Sequence, residues 1–142
     1  MKNFPRGSKI FDHTADIGLE IWGDSFDAVF EEAAKALFGL MVDLKQVAPR
    51  ESVAIELEAE TGEELFIKWL KELLFIFDTK HLLLSQFQIE DLTFNRLKAR
   101  ISGEPLNKSK HRLGREVKAV TRHMFEFAKS PSGFRAKIIL DI

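Results

Sequence analysis

Apolar and polar positions alternate along Ile17-Gly18-Leu19-Glu20-Ile21-Trp22, which predicts a half-buried strand with Ile17, Leu19 and Ile21 on one face. Gly23-Asp24-Ser25 interrupts the alternation, and Asp24 or Ser25 can cap a following helix. Phe26, Val29, Phe30, Ala33, Leu37 and Leu40 then recur at helical spacing, with Glu31, Glu32 and Lys35 outward, so the spacing predicts a helix over about 25–42. Alternation returns over 52–60, with Val53, Ile55, Leu57 and Ala59 on one side and Glu56, Glu58 and Glu60 on the other. Thr61-Gly62-Glu63-Glu64 reads as a capping box, the Thr hydroxyl serving the Glu64 N–H and the Glu64 side chain reaching back. Leu65, Trp69, Leu70, Leu73, Leu74, Ile76 and Phe77 carry the helix behind it to about Lys80.

The second half of the chain reads mostly as strand. Residues 86–94 and 96–103 form a predicted strand pair, followed by a polar, basic loop over 103–114 with no apolar period. Residues 123–129 and 134–142 flank the turn Ser130-Pro131-Ser132-Gly133 and predict a hairpin. Its second arm is apolar on consecutive positions at Ile138-Ile139-Leu140, as expected of a strand buried on both faces. Strand, helix, strand, helix and then strands predict an α+β fold in one domain, 1–142: a two-layer mixed sheet packed with two main helices.

Charge and composition narrow the function classes. Lys+Arg number 21 and Asp+Glu 22, so no global field draws the chain to nucleic acid or to an anionic membrane. The absence of cysteine removes disulfides, thiolate metal sites and cysteine nucleophiles, and it fits a reducing cytoplasm. No signal-peptide core or membrane-length apolar run is present, so the expected location is the cytoplasm, without membrane association. The 13 Phe residues are expected mainly in the core.

Chemistry concentrates at the two ends of the chain. Asp12-His13-Thr14-Ala15-Asp16 crowds two carboxylates, an imidazole and a hydroxyl at the entry to a strand, where ordinary turn bonding is the plainer reading. Gly18 inside that strand predicts a bulge or a close backbone approach. Asp141 and the terminal carboxylate of Ile142 put adjacent negative groups behind a buried strand; the alternatives are a cation, a basic partner or a solvated, frayed end. If the first and last strands are neighbours, Asp12, Asp16, Asp141 and Ile142 supply an all-oxygen site suited to Ca²⁺ or Mg²⁺, with His13 behind the ligands. Lys118 and Thr121 share either a short helical turn or the start of a strand, and Lys118 beside such a site suits a phosphate. No Ser-His-Asp order, dinucleotide fingerprint or Walker A motif is present, and His81 and His111 lie outside any ligating spacing. A metal-dependent hydrolase would have His13 as its one candidate base. The basic stretch 108–115 lacks the interleaved aromatics of a base-reading RNA surface.

Four blocks in order carry a resemblance: Asp12-His13-Thr14-Ala15-Asp16-Ile17-Gly18, the helix around Trp69-Leu70-Lys71-Glu72-Leu73-Leu74, Gly103-Glu104-Pro105-Leu106 with His111 and 116–121, and the ending 136–142. Together they resemble the archease family over nearly the whole chain. Arg122 and Phe134 depart from it, standing where the family usually has an aromatic residue and often has Trp. The resemblance implies a non-enzyme: a protein cofactor of the RtcB-type tRNA-splicing ligase that promotes guanylylation of the ligase's active-site histidine and its multiple turnover. It implies a divalent cation, Ca²⁺ by preference and Mg²⁺ otherwise, held by Asp16, Asp141 and Ile142 with Asp12 beside them. It also assigns Lys118, with His13, to the partner-facing surface, RNA being met through the ligase. A chaperone or specificity modulator of an RNA-modifying enzyme, such as a tRNA methyltransferase, is the alternative.

Overall fold

A computed structural model describes residues 6–12 and 16–142, apart from the side chain of Asp12. The elements are β1 (Gly7–Asp12), β2 (Asp16–Gly23), α1 (Phe26–Met41), β3 (Glu51–Glu58), α2 (Gly62–Lys80), β4 (Leu82–Leu92), β5 (Arg96–Pro105), β6 (Ala119–Ser130) and β7 (Gly133–Asp141), with a 3-10 turn at Leu44–Gln46. The α+β class stands as expected. The single mixed sheet does not: the described strands form two wholly antiparallel sheets, ordered β1-β2-β7-β6 and β3-β5-β4. Both helices follow strands, a pattern that suggests parallel crossovers, but here each helix leads to a strand that pairs antiparallel.

The helices sit where the capping chemistry puts them. Ser25 Oγ accepts from the Ala28 N–H at 3.0 Å and starts α1. Thr61 Oγ1 accepts from the Glu64 N–H at 3.1 Å and starts α2. The reciprocal half of the capping box is not made, because the Glu64 carboxylate turns to Arg122 instead. Helix α1 contacts both β2 and β4 and is buried at Val29, Phe30, Ala33, Ala34, Leu37 and Phe38, more than one stripe, as a helix between two sheets must be. One core joins both sheets and both helices. At its centre the Trp69 indole N–H donates to the Phe30 carbonyl at 2.9 Å, giving a buried polar atom its partner. Most described Phe rings pack inward, but Phe75 and Phe94 are exposed.

Strand β7 lies between β2 and β6, and Ile138, Ile139 and Leu140 are all buried, as their unbroken apolar run predicts. Strand β1 has no counterpart in the sequence reading, since Gly7-Ser8-Lys9-Ile10-Phe11 is a short edge with Ile10 exposed and no alternation to betray it. It accounts for Gly18, however: Phe11 pairs directly opposite, and its ring fills the space a Cβ would need. Residues 118–121 are extended rather than helical, with β6 beginning at Ala119. Partway along, β6 breaks register: Thr121 pairs with Ile139 and Glu126 with Lys137, so three more residues are spent on β6 than on β7. Met124, within that bulge, has φ 54° and an exposed side chain.

No helix among the described residues is long and apolar enough to cross a membrane. Close strand packing makes Gly103 a sharp test of this arrangement, because a Cβ there would collide with the Leu83 backbone carbonyl, which cannot rotate away. Gly103→Ala is expected to cost ~1–3 kcal/mol or more, read as a lowered urea midpoint at unchanged m-value.

Candidate functional site: the carboxylate tip and its basic approach

The β2–β7 ladder sets Asp16 directly across from Asp141, with Ile17 opposite Leu140 and Leu19 opposite Ile138 behind them. On the other side of β7, Ala119 faces Asp141, and the Lys118 N–H donates to the Asp141 carbonyl at 2.7 Å. The two ends of the chain therefore meet at one end of the four-stranded sheet. Residues directly opposite on antiparallel strands share a face about 4.5–5.5 Å apart at Cβ, and like charges so placed repel. Asp16 is half-buried with Oδ1 sealed from solvent, whereas Asp141 is exposed. Ile142 is not frayed: its side chain packs against the core and holds the chain end beside Asp141.

Asp12 occupies the last pairing position of β1, opposite Ile17, so its backbone lies one pairing away from the tip. Its side chain, together with His13, Thr14 and Ala15, lies outside the described residues. The expected roles of Asp12 and His13 fall there. Among the described residues no group of three His, Asp or Glu side chains is placed to hold a metal ion. The fit to a hard cation therefore rests on Asp16 and Asp141, two carboxylates aligned by register, with the oxygen chemistry such an ion prefers. Lys118 is exposed at the edge of this group.

Arg122, one of the two departures from the family pattern, does not spread its charge over the tip. Its guanidinium grips Glu64 with both terminal nitrogens, Nη1 and Nη2, at 2.7 and 2.6 Å, which ties β6 to the first turn of α2. The pairing draws the Glu64 carboxyl below its usual range. Phe134, the other departure, keeps the aromatic role: its ring lies 5.4 Å from Phe26 and 6.2 Å from Phe127.

Sequence reasoning missed a second ionic cluster. Glu104 and His111 are the two buried polar residues of the described core. Glu104 Oε2 receives Lys110 Nζ at 2.7 Å, the Ala48 N–H at 3.0 Å and His111 Nε2 at 2.8 Å. His111 Nδ1 accepts from the Asn107 N–H at 3.0 Å, so the ring proton sits on Nε2, where it donates to Glu104. The Lys110 ammonium above all, then the Ala48 N–H and His111, hold the Glu104 carboxyl down at about 2. The signal available in sequence was a Glu and a His seven residues apart on either side of a turn-rich loop, with Pro105 and a polar run between them that carries no helical or strand pattern.

Two predictions come from these clusters. A carboxyl whose folded pKa is depressed stabilises the fold above its ordinary value of 4.5, and that contribution is lost as pH falls toward about 2. Glu104→Gln is thus expected to be less stable than wild type at neutral pH and to show a flatter decline between those two values, measured by urea unfolding across pH. At the tip, Asp141→Asn removes one of two facing negative charges. In chelator its melting temperature is expected to match or exceed that of wild type, and any rise in melting temperature that Ca²⁺ gives the wild type is expected to vanish.

The comparisons with known proteins agree with this architecture. The chain matches the archease protein family (MTH1598/TM1083) over residues 9–142. It is 38% identical over 136 residues to the protein archease of Thermococcus gammatolerans, covering 93% of this chain and 96% of that one. The solution structure of Methanobacterium thermoautotrophicum protein 1598 superposes with a TM-score of 0.82 at 36% identity, covering 96% of this chain and 99% of that one. A Thermotoga maritima crystal structure, described as an archease and possible chaperone, shares the fold at a TM-score of 0.66 and 24% identity, with 94% of this chain and 96% of that one covered. With a match of this extent, and with the blocks at both ends brought together by one β-ladder, the chain belongs to the archease family.

Proposed function

We propose that this protein activates an RtcB-type RNA ligase in tRNA processing, promoting guanylylation of the ligase's active-site histidine and so its multiple turnover. The observation that carries the reading is the register of β2 and β7, which puts Asp16 and Asp141 face to face at a tip open to a partner. Membership of the archease family supports it. In this reading Asp16, Asp141 and the Ile142 carboxylate, with Asp12 beside them, hold a divalent cation, Ca²⁺ or in its place Mg²⁺. Bound there, the ion supplies fixed positive charge at the contact with the ligase. This chain's own contribution is positional. Ile138, Ile139 and Leu140 anchor the strand that presents Asp141, and the Lys118 N–H fixes the Asp141 backbone. Lys118 extends an ammonium from the same edge, where a phosphate or a ligase carboxylate can pair with it. His13 is given a partner-facing role on the family resemblance alone. Phosphoryl and nucleotidyl transfer depend chiefly on positioning and charge stabilisation, and a rigid charged tip can supply both to a partner's site.

The test is single-turnover guanylylation of the ligase, with this protein added in excess. Wild type is expected to accelerate it, whereas Asp141→Ala and Lys118→Ala are expected to lose most of that effect while melting like the wild type. Full acceleration by Asp141→Ala would sink the reading. Capture of a tRNA methyltransferase but not the ligase on immobilised protein would favour the alternative role in modulating an RNA-modifying enzyme.

A further inference from the structure

The segment between β5 and β6 has no helix or strand of its own, yet it is tied down along its whole length. The Leu106 N–H donates to the His81 carbonyl, and the Lys110 and His111 N–H groups both donate to the Asn107 carbonyl. Leu113 bridges to Val42, and the Gly114 and Arg115 N–H groups donate to the carbonyls of Met41 and Leu40 at the end of α1. Beneath it, Glu104 pins Lys110 and His111. A surface loop held this firmly presents its side chains in fixed places, as binding loops on a rigid scaffold do.

What the loop presents is positive charge beside a groove. Lys108, Lys110 and Arg112 line a groove of about 570 Å³ whose far wall includes Asp43 and Gln46. Asp43 is the groove's one lining carboxylate, and it already accepts the Lys45 N–H. Lys110 is matched by buried Glu104. Lys108 and Arg112 are exposed and have no ion pair among the described residues. No Phe, Tyr or Trp lines the groove, and its one ring, the His111 imidazole, is buried against Glu104, so the groove offers no exposed ring on which bases could stack. Two uncommitted cations on a rigid wall suit a chain of phosphates instead. The geometry also relates the groove to the tip. Arg112 and Lys118 stand six positions apart, and six extended residues reach at most ~22 Å.

We propose that this groove binds the phosphodiester backbone of the RNA on which the partner ligase acts, with Lys108 and Arg112 as its phosphate contacts; the identity of that RNA rests on the functional reading above. The near-neutral net charge leaves this wall as a local site rather than part of a general basic field. The protein would then meet the RNA directly, as well as through the ligase.

The experiment is an anisotropy titration of a labelled single-stranded oligouridine across a salt series. It compares wild type with Lys108→Glu/Arg112→Glu and with the charge-matched control Lys98→Glu/Arg135→Glu on remote strands. Each phosphate contact contributes a slope of ~0.7 in log affinity against log salt, so the groove variant is expected to lose ~1.4 of slope and tenfold or more in low-salt affinity. Lys108→Gln alone is expected to lose about half of that slope, and it keeps the test decisive if the double variant fails to fold. An unchanged slope in the groove variants, an equal loss in the control, or no binding by wild type at low salt overturns the proposal. RNA-free guanylylation separates this inference from the functional reading. The groove variant is expected to stimulate it fully; its failure there would mean that the groove meets the ligase and not RNA. If wild type itself gives no stimulation, the functional reading falls, and the RNA titration decides the groove alone.

Discussion

Strand β7 is hemmed in by β2 on one side and β6 on the other, and its last apolar residues are buried on both faces of the sheet. A one-residue slip in either pairing would turn Ile138 and Leu140 away from the core and bring Ile139 round. The apolar register therefore fixes where Asp141 stands, whatever the preference of its charge. Asp16 is fixed the same way, through Ile17 and Leu19. Two carboxylates are held face to face by the packing of their neighbours, and repulsion between them is tolerated because those neighbours leave no other register. A site built like this keeps its geometry when its own charge changes, which is what a charged tip offered to a partner requires.

The two ionic features solve opposite problems. Glu104 is turned inward and surrounded by an ammonium, an amide N–H and an imidazole N–H. Its charge is consumed in holding a loop. At the tip, by contrast, Asp141 stays exposed, and Lys118 beside it is exposed as well. Burial with full pairing makes a structural pin, whereas register without enclosure makes a surface that can act on something else.

Much of this was legible in the sequence where the signal is local. Ser25, one of two candidate caps, and Thr61 start the two helices, the helix limits agree within a residue or two, and the apolar run 138–140 is a central strand. Gly18 announced a close approach without naming what approaches, which proved to be Phe11 from a strand with no pattern of its own. The meeting of Asp16 and Asp141 was conditional on strand adjacency, because pairing across more than a hundred residues leaves no trace in local periodicity. The same limit hid the antiparallel sense of both sheets, the Glu64–Arg122 tie that displaced half of the capping box, and the Glu104 pin, whose partners come from two stretches of chain, around Ala48 and at Lys110 and His111.

The bulge in β6 also bears on how the protein can vary. Val120 pairs with Leu140 and Phe127 with Ala136, so both face the core although an odd number of steps separates them along β6. In an unbroken strand they would point to opposite sides. Extruding three residues resets the phase, and the ladder resumes afterward without regard to how many were extruded. The hairpin end of β6 is thereby insulated from the end that meets Asp141. Insertions or deletions near Met124 can change the length of the extruded segment while Ala119 keeps its place opposite Asp141, so the hairpin is free to drift in evolution without moving the tip.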